Sequence, residues 1–256
     1  MDILQAIIIG IIEGFTEFLP ISSTGHMMIA ADFMDVNLDD PLIGGYFVII
    51  QFAAILAVML LYREKINLKE IELWKKLIGA FLPLAIVGFL LKDWIEKLLS
   101  NPLIPAWMFI IGGVIFIIVE YFHNDDIKET TNVEAVTWKQ SLIIGFGQIL
   151  SMVPGTSRAG ATIVAGMLAG VNRKTSTEFS FLLAIPVMMA VSGYSLMKNY
   201  DSFIGIDLTA FAVGFVVAFV VAYATIKLFI VFLQRFTFVA FGIYRIVFGV
   251  ILLMML

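Results

Sequence analysis

Glu13-Gly14-Phe15-Thr16-Glu17-Phe18-Leu19-Pro20-Ile21-Ser22-Ser23-Thr24-Gly25-His26 interrupts an apolar run that begins at Ile3 and resumes at Met27. Two carboxylates, several hydroxyls and a histidine thus sit inside what hydropathy alone would give to a membrane. Pro20 ends the helix expected over residues 2–19, because proline lacks an amide donor and restricts the residue before it. The apolar piece that follows, residues 24–34, stops at Asp35. Neither piece has the roughly 20 uninterrupted apolar residues that a span needs. Two short helices broken at Pro-Ile-Ser-Ser-Thr-Gly therefore predict a re-entrant hairpin. Irregular backbone at membrane depth is tolerated only where protein or a wet cavity covers it.

The rest of the chain sets the surroundings of that hairpin. Hydrophobic residues make up 61% of it and charged residues 14%, with a mean hydropathy of +1.02. Soluble domains average about 45–50% apolar and about 25% charged, so the expected class is an all-α polytopic membrane protein. Spans are expected at 43–62, 77–92 (with Pro83 inside it) and 104–122, followed by a polar loop at 123–139. A second short-helix pair, 140–152 and 158–170, is broken at Pro154-Gly155, and three more spans fit at 177–197, 208–227 and 236–256. Residues 1–256 read as one membrane domain. A net charge of −4 without a basic block gives no support to a nucleic-acid partner, and none is expected. The lack of cysteine excludes disulfides, thiolate metal sites and cysteine nucleophiles. Met1-Asp2-Ile3-Leu4-Gln5 lacks the basic region and cleavage site of a signal peptide, so it reads as mature sequence.

The second half repeats the first. At an offset of 134, Pro20 meets Pro154, Ser22 meets Thr156, Ser23 meets Ser157 and Phe47 meets Phe181. At an offset of about 132, Phe109 to Phe116 resembles Phe241 to Phe248. Repeat one is 1–122, the cytoplasmic loop 123–139 and repeat two 140–256. Three spans per repeat is an odd number, so the halves must have inverted topology, each a re-entrant hairpin plus three transmembrane helices. That is the layout of many transporter folds, with broken helices meeting near the midplane.

Lys and Arg set the orientation. Arg63, Lys65, Lys69, Lys75, Lys76, Lys128, Lys139, Arg173, Lys174, Lys227 and Arg235 fall on one side, taken as cytoplasmic, against Lys92, Lys97 and Lys198 on the other. Arg158 and Arg245 remain at membrane depth. Both termini and the entry to the first hairpin then face outward, in a cell membrane.

Each polar group is weighed against a packing role. Glu13 and Glu17, four residues apart, share one helix face. Ala6 and Gly10 extend that face with small residues that allow another helix close approach. A charge at the bilayer centre costs roughly 2.5–3.5 kcal/mol on insertion scales, so a pair on one face points to function. Ser22, Ser23 and Thr24 can cap the second short helix. His26, sharing the hairpin with two carboxylates, is a candidate acid or base, whereas His123 sits at a span end as an interfacial residue. Gly155, Thr156, Ser157 and Arg158 combine a glycine turn, hydroxyls and a helix start whose free N–H groups suit an anion. The planar guanidinium of Arg158 suits phosphate. Gln51, Gln148 and Arg245 are polar groups in apolar surroundings for which packing and function stand even.

Glu13-x-x-x-Glu17-Phe-Leu-Pro-Ile-Ser-Ser-Thr-Gly-His26, paired with Pro154-Gly-Thr-Ser-Arg158-x-Gly160, resembles the undecaprenyl-diphosphate phosphatases, the bacitracin-resistance family. The likeness runs through the whole chain in length, order and hydropathy. It implies release of inorganic phosphate from a polyprenyl diphosphate carrier lipid, regenerating the monophosphate for cell-wall glycan synthesis. It likewise implies two inverted repeats and a site open to the outer face. The family's acidic motif maps on Glu13 and Glu17, its histidine on His26, its basic residue on Arg158 and its proposed serine on Ser23, with Ser157 on the second loop.

The residues support such chemistry beside the resemblance. A diphosphate and two glutamates carry more negative charge than Arg158 and a protonated His26 balance. A divalent cation, Mg²⁺ or Ca²⁺, held by Glu13 and Glu17 closes that gap, since both take oxygen ligands. Ser23 is the candidate nucleophile with His26 as base or acid, and attack by water stays open. Ser22, Thr24, Gly155, Thr156, Ser157 and Arg158 are the expected substrate contacts. The expected partners are the polyprenyl diphosphate lipid and the bilayer, with a homodimer left open. The rival reading is a lipid-phosphate flippase or transporter on the same inverted-repeat fold, because fold alone does not separate binding from chemistry.

Overall fold

A computed structural model of the chain describes residues 1–38, 40–67, 70–91, 94–95, 98, 101, 103–123, 130–198, 200 and 208–255. Lys69, Lys92, Lys97, Lys128 and the run Asn124-Asp125-Asp126 lie outside the described residues. Among the described residues there are ten α-helices. They are α1 (Ile3–Thr16), α2 (Ser23–Phe33), α3 (Pro41–Leu61), α4 (Ile71–Leu90), α5 (Leu103–Phe122), α6 (Trp138–Gln148), α7 (Arg158–Leu168), α8 (Arg173–Lys198), α9 (Thr209–Phe232) and α10 (Val239–Met255). A 3₁₀ turn, Ile149–Met152, follows α6.

Five of these, α3, α4, α5, α8 and α9, are long and apolar enough to cross a membrane. Each overlaps an expected span, and Pro83 lies within an unbroken α4. The last expected span, 236–256, corresponds to α10, which is 17 residues long. Large apolar side chains face outward, among them Phe89, Phe122 and Leu228 at 86%, 79% and 70% exposure. On a water-soluble protein that much exposed apolar surface would be a liability; against lipid it is the expected finish. The chain is a multi-pass membrane protein.

The helices group into two compact units. The first holds residues 1–18, 23–66 and 184–229. Asp2 and Gln5 open α1 with a reciprocal capping box, each side chain accepting from the other's amide at 2.8 Å. The Gln5 amide also donates to Met34 O at 3.0 Å, beyond the end of α2. Tyr46 on α3 donates its hydroxyl to Ala6 O at 2.6 Å, and its ring meets Phe211 edge-on at 5.1 Å. The small-residue face expected on α1 is used as such. A Cβ on Gly10 would lie 2.7 Å from Gly214 O, and one on Gly14 2.6 Å from Ala218 O, so α1 and α9 pack backbone to backbone.

The second unit holds residues 19–22, 67–183 and 230–256. Here α4 packs on α6, tied by Ser141 Oγ donating to Lys76 O at 2.6 Å, and α6 folds back along α7. The segments that resemble each other in sequence, Phe109–Phe116 and Phe241–Phe248, lie on the paired helices α5 and α10. Phe109 and Phe248 meet edge-on at 5.0 Å. Beyond that pair, Glu120 receives the Arg173 guanidinium and the Phe238 N–H, a buried ion pair with a third donor.

Candidate active site

The first break is longer than the expected helix bounds imply. Helix α1 stops at Thr16, whose hydroxyl donates back to Ile12 O at 2.6 Å, and Glu17 is its C-cap rather than an interior residue. Proline at position 20 disfavours helical backbone at Leu19, which keeps the helix from running to residue 19. Residues 17–21 form turns, and Ser22 then takes a left-handed backbone, φ 71°, before α2 starts at Ser23. Glu13 has no exposed surface and Glu17 is 6% exposed. Glu17 N–H donates to Glu13 O at 2.9 Å, so the two carboxylates leave the last turn of α1 one above the other.

Across the break, Ser23 donates its hydroxyl to Glu17 Oε2 at 2.5 Å, both groups buried. A hydroxyl–carboxylate bond of that length is charge-assisted and strong. His26 follows Ser23 by three residues on α2, hence on the same face, and is half-buried, as is Thr24. The acidic pair, the serine and the histidine singled out in the sequence are thus brought to one end of α1 and α2 within the first unit. Ser22 is buried and belongs to the second unit.

The second break has a related backbone. Val153 leaves the 3₁₀ turn in an extended conformation, Gly155 has φ 88° and Ser157 φ 74°. A Cβ at Gly155 would lie 2.5 Å from Pro105 O, so glycine is required there on two counts. Ser157 caps α7, its Oγ accepting from Gly160 N–H at 3.0 Å. Arg158, the first residue of α7, donates from Nη1 to Ser180 O at 3.0 Å. Thr162 shares a 2.6 Å hydroxyl–hydroxyl bond with Ser180 and donates to Arg158 O at 2.9 Å. The Ser180 carbonyl thereby anchors the Arg158 guanidinium, and the Thr162–Ser180 bond ties α7 to α8 beside it; the sequence reading missed both residues. Thr162, a hydroxyl one turn along from Arg158 in an apolar helix, was the available signal.

The register of the two breaks needs correction by one residue. Identity at an offset of 134 sets Ser22 against Thr156 and Ser23 against Ser157. Conformation sets left-handed Ser22 against left-handed Ser157, and the helix starts Ser23 and Arg158 against each other. The extra left-handed residue, Gly155, lengthens the second turn and shifts the match.

Two polar groups flanking Pro154 stand out energetically. The Gln148 amide has no exposed surface, and neither its oxygen nor its nitrogen has a hydrogen-bond partner among the described residues. The buried Thr156 Oγ1 is in the same position. Each such group costs about 1–3 kcal/mol if left unsatisfied, which favours a ligand that satisfies them.

The match to known proteins runs over nearly the whole chain. The family model described as "Bacitracin resistance protein BacA" matches residues 6–251. The chain belongs to this family. A BacA-family relative from Sulfurovum sp. (strain NBC37-1), named undecaprenyl-diphosphatase, is 66% identical over 256 residues, covering 100% of both chains. One from Sulfurimonas denitrificans with the same name is 56% identical, covering 99% of each. A third so named, from Methanococcus aeolicus, is 46% identical over 99% of this chain and 98% of its own. BacA membership and an apolar, multi-pass body together make the chain a membrane enzyme.

Proposed function

We infer that the chain is an integral membrane phosphatase that cleaves undecaprenyl, or a related polyprenyl, diphosphate to the monophosphate and inorganic phosphate. The lipid carrier so recycled serves peptidoglycan synthesis, and its turnover underlies bacitracin resistance. The observation that carries the reading is the Ser23 hydroxyl donated to Glu17 at 2.5 Å in a buried helix break. A carrier needs binding groups; a nucleophile already hydrogen-bonded to a base is equipment for chemistry.

In this reading Ser23 Oγ attacks the terminal phosphorus and passes its proton to Glu17 Oε2. The Oγ–P bond forms as the bridging P–O bond breaks, and the polyprenyl monophosphate leaves with that oxygen. Water then attacks the phosphoserine, giving up a proton to His26, and phosphate departs as Ser23 regains its hydrogen. Phosphoryl transfer depends mainly on positioning and charge stabilisation. Arg158 supplies a fork for two phosphate oxygens, anchored through Nη1 on the Ser180 carbonyl. The amides at the start of α7 and the unpartnered Thr156 hydroxyl are further donors, with Ser22, Thr24, Gly155 and Ser157 shaping the two turns.

A divalent cation fits this donor set. Two carboxylates rise from one helix face, and no group of three or more His, Cys, Asp or Glu side chains gathers among the described residues. Mg²⁺ typically takes one or two protein carboxylates and completes its shell with substrate phosphates and water. Glu13 and Glu17 would hold it, and Ca²⁺ would use the same groups. Once bound, the ion neutralises phosphate charge as a Lewis acid.

Two inverted-topology repeats, 1–122 and 140–256, remain the best account of the chain. The recurring left-handed serine before a short helix supports them, as does the resemblance between α5 and α10. The Lys and Arg distribution favours an active site open to the outer face. A second copy is not required, because every side chain in the scheme comes from one chain.

Phosphate release from undecaprenyl diphosphate by purified protein in detergent, with and without chelator, tests the function. Metal-dependent release is expected. Lipid movement between leaflets of vesicles without phosphate release would transfer the argument to the flippase reading.

A further inference from the structure

Arg245 on α10 has no exposed surface. Its Nη1 donates to Pro20 O at 3.0 Å, and its Nη2 donates to Met108 O and to Gly155 O, both at 2.9 Å. The rings of Phe109 and Phe116 flank it, with centroids 5.3 and 5.9 Å from Cζ. Among the described residues its partners are backbone carbonyls and rings, with no carboxylate. A buried charge at membrane depth that serves no ion pair calls for a reason.

The reason lies in which carbonyls it holds. Pro20 stands two residues before left-handed Ser22, and Gly155 stands two residues before left-handed Ser157. One guanidinium therefore grips the equivalent carbonyl of both helix breaks, on the conformational register rather than on the register of sequence identity. Non-glycine residues in the left-handed region persist only where their surroundings over-determine them, and they cluster at functional sites. Gly112 leaves the space for this arrangement. A Cβ there would fall on the guanidinium, 2.9 Å from Cζ and 3.0 Å from Nε.

We propose that Arg245 is a positioning residue: it holds the turns Pro20–Ser22 and Gly155–Ser157 so that each delivers its next residue, Ser23 or Arg158, in reactive geometry. The proposal rests on the roles given above to Ser23 and Arg158. Lysine does not replace it, because a compact ammonium lacks the planar fork that reaches both turns and Met108. Alanine at position 112 keeps the guanidinium but crowds it.

Two variants, Arg245→Lys and Gly112→Ala, carry the test. Each is purified as monodisperse protein, assayed for phosphate release per folded molecule, and mapped by amide hydrogen exchange. Phosphate release should fall by about 100-fold, the scale of loss that a ~1 Å misplacement produces. Exchange should rise at residues 21–23 and 155–158 together, ahead of the body of α5 and α10. A residue that merely packs the helices would loosen α5 and α10 and leave the two turns no faster than the rest. That pattern, or parental activity in both variants, overturns the proposal. If Arg245→Lys fails to fold, Gly112→Ala is read by the same two measurements. Parental activity in Ser23→Ala and Arg158→Ala would instead remove the functional reading, and the exchange pattern would still decide whether Arg245 holds both turns.

Discussion

Ser23 donates its hydroxyl to Glu17 Oε2 at 2.5 Å across the break at Pro20, with both side chains buried. The bond joins the end of α1 to the first residue of α2, six positions apart in sequence. It changes the division of labour expected from composition alone. His26 was the natural base for Ser23, yet the acceptor on the serine hydroxyl is Glu17. The histidine is thereby left for the second half of the reaction, when water replaces the lipid phosphate.

Glu13 and Glu17 should then differ in kind. Glu13→Gln and Glu17→Gln should both raise the Mg²⁺ or Ca²⁺ concentration needed for phosphate release, since each removes a ligand charge. At saturating metal, Glu17→Gln alone should stay slow, by the roughly 10²–10⁴-fold that loss of a general base costs. Metal titration of turnover in both variants checks this. Equal turnover at saturation would remove the base role of Glu17.

Arg158→Lys should bind substrate poorly and should not recover with added metal, because the ammonium keeps the charge and loses the fork. It also loses the guanidinium contact that rests on Ser180 O at 3.0 Å. KM for the diphosphate is the readout. A metal requirement shifted as far as in the glutamate variants would contradict a role for Arg158 in binding substrate charge.

Much of this was legible before any coordinates. The apolar runs around Phe47, Phe109 and Phe181 sit on helices close to their expected bounds, since length and hydropathy dominate in a bilayer. The breaks at Pro20 and Pro154 were visible because proline and glycine act locally. What escaped depends on backbone conformation and distant partners. Matching prolines hid the extra left-handed residue at Gly155, so Ser23 was set against Ser157 rather than Arg158. Arg245 looked evenly balanced between packing and function because its three carbonyls lie 225, 137 and 90 residues away. Ser180 carries no local signal for the same reason, since the Arg158 guanidinium that it receives lies 22 residues away.

The close approach of α1 to α9 makes Gly14 sensitive. A methyl there would meet Ala218 O at 2.6 Å and Ala222 N at 2.8 Å, both backbone atoms that cannot swing aside. Gly14→Ala should therefore destabilise the protein by about 1–3 kcal/mol, the usual cost of overpacking, although alanine has the higher helix propensity. Thermal unfolding in detergent measures it, and an unchanged or raised midpoint would contradict the packing.

Orientation is open to labelling in this cysteine-free chain. A single cysteine at Asn132 should resist an impermeant thiol reagent added to intact cells, whereas one at Asn101 should react. The reverse pattern would turn the active site to the cytoplasm.

The central claim is that Ser23 carries the phosphoryl group, and one comparison bears on it most directly. Phosphate release from undecaprenyl diphosphate is measured for the parent and for Ser23→Ala at saturating Mg²⁺, on protein of equal folded content. The account predicts that Ser23→Ala falls to the enzyme-free background while still binding the diphosphate. Turnover comparable with the parent would contradict it, and would make water the attacking group with Ser23 only a ligand.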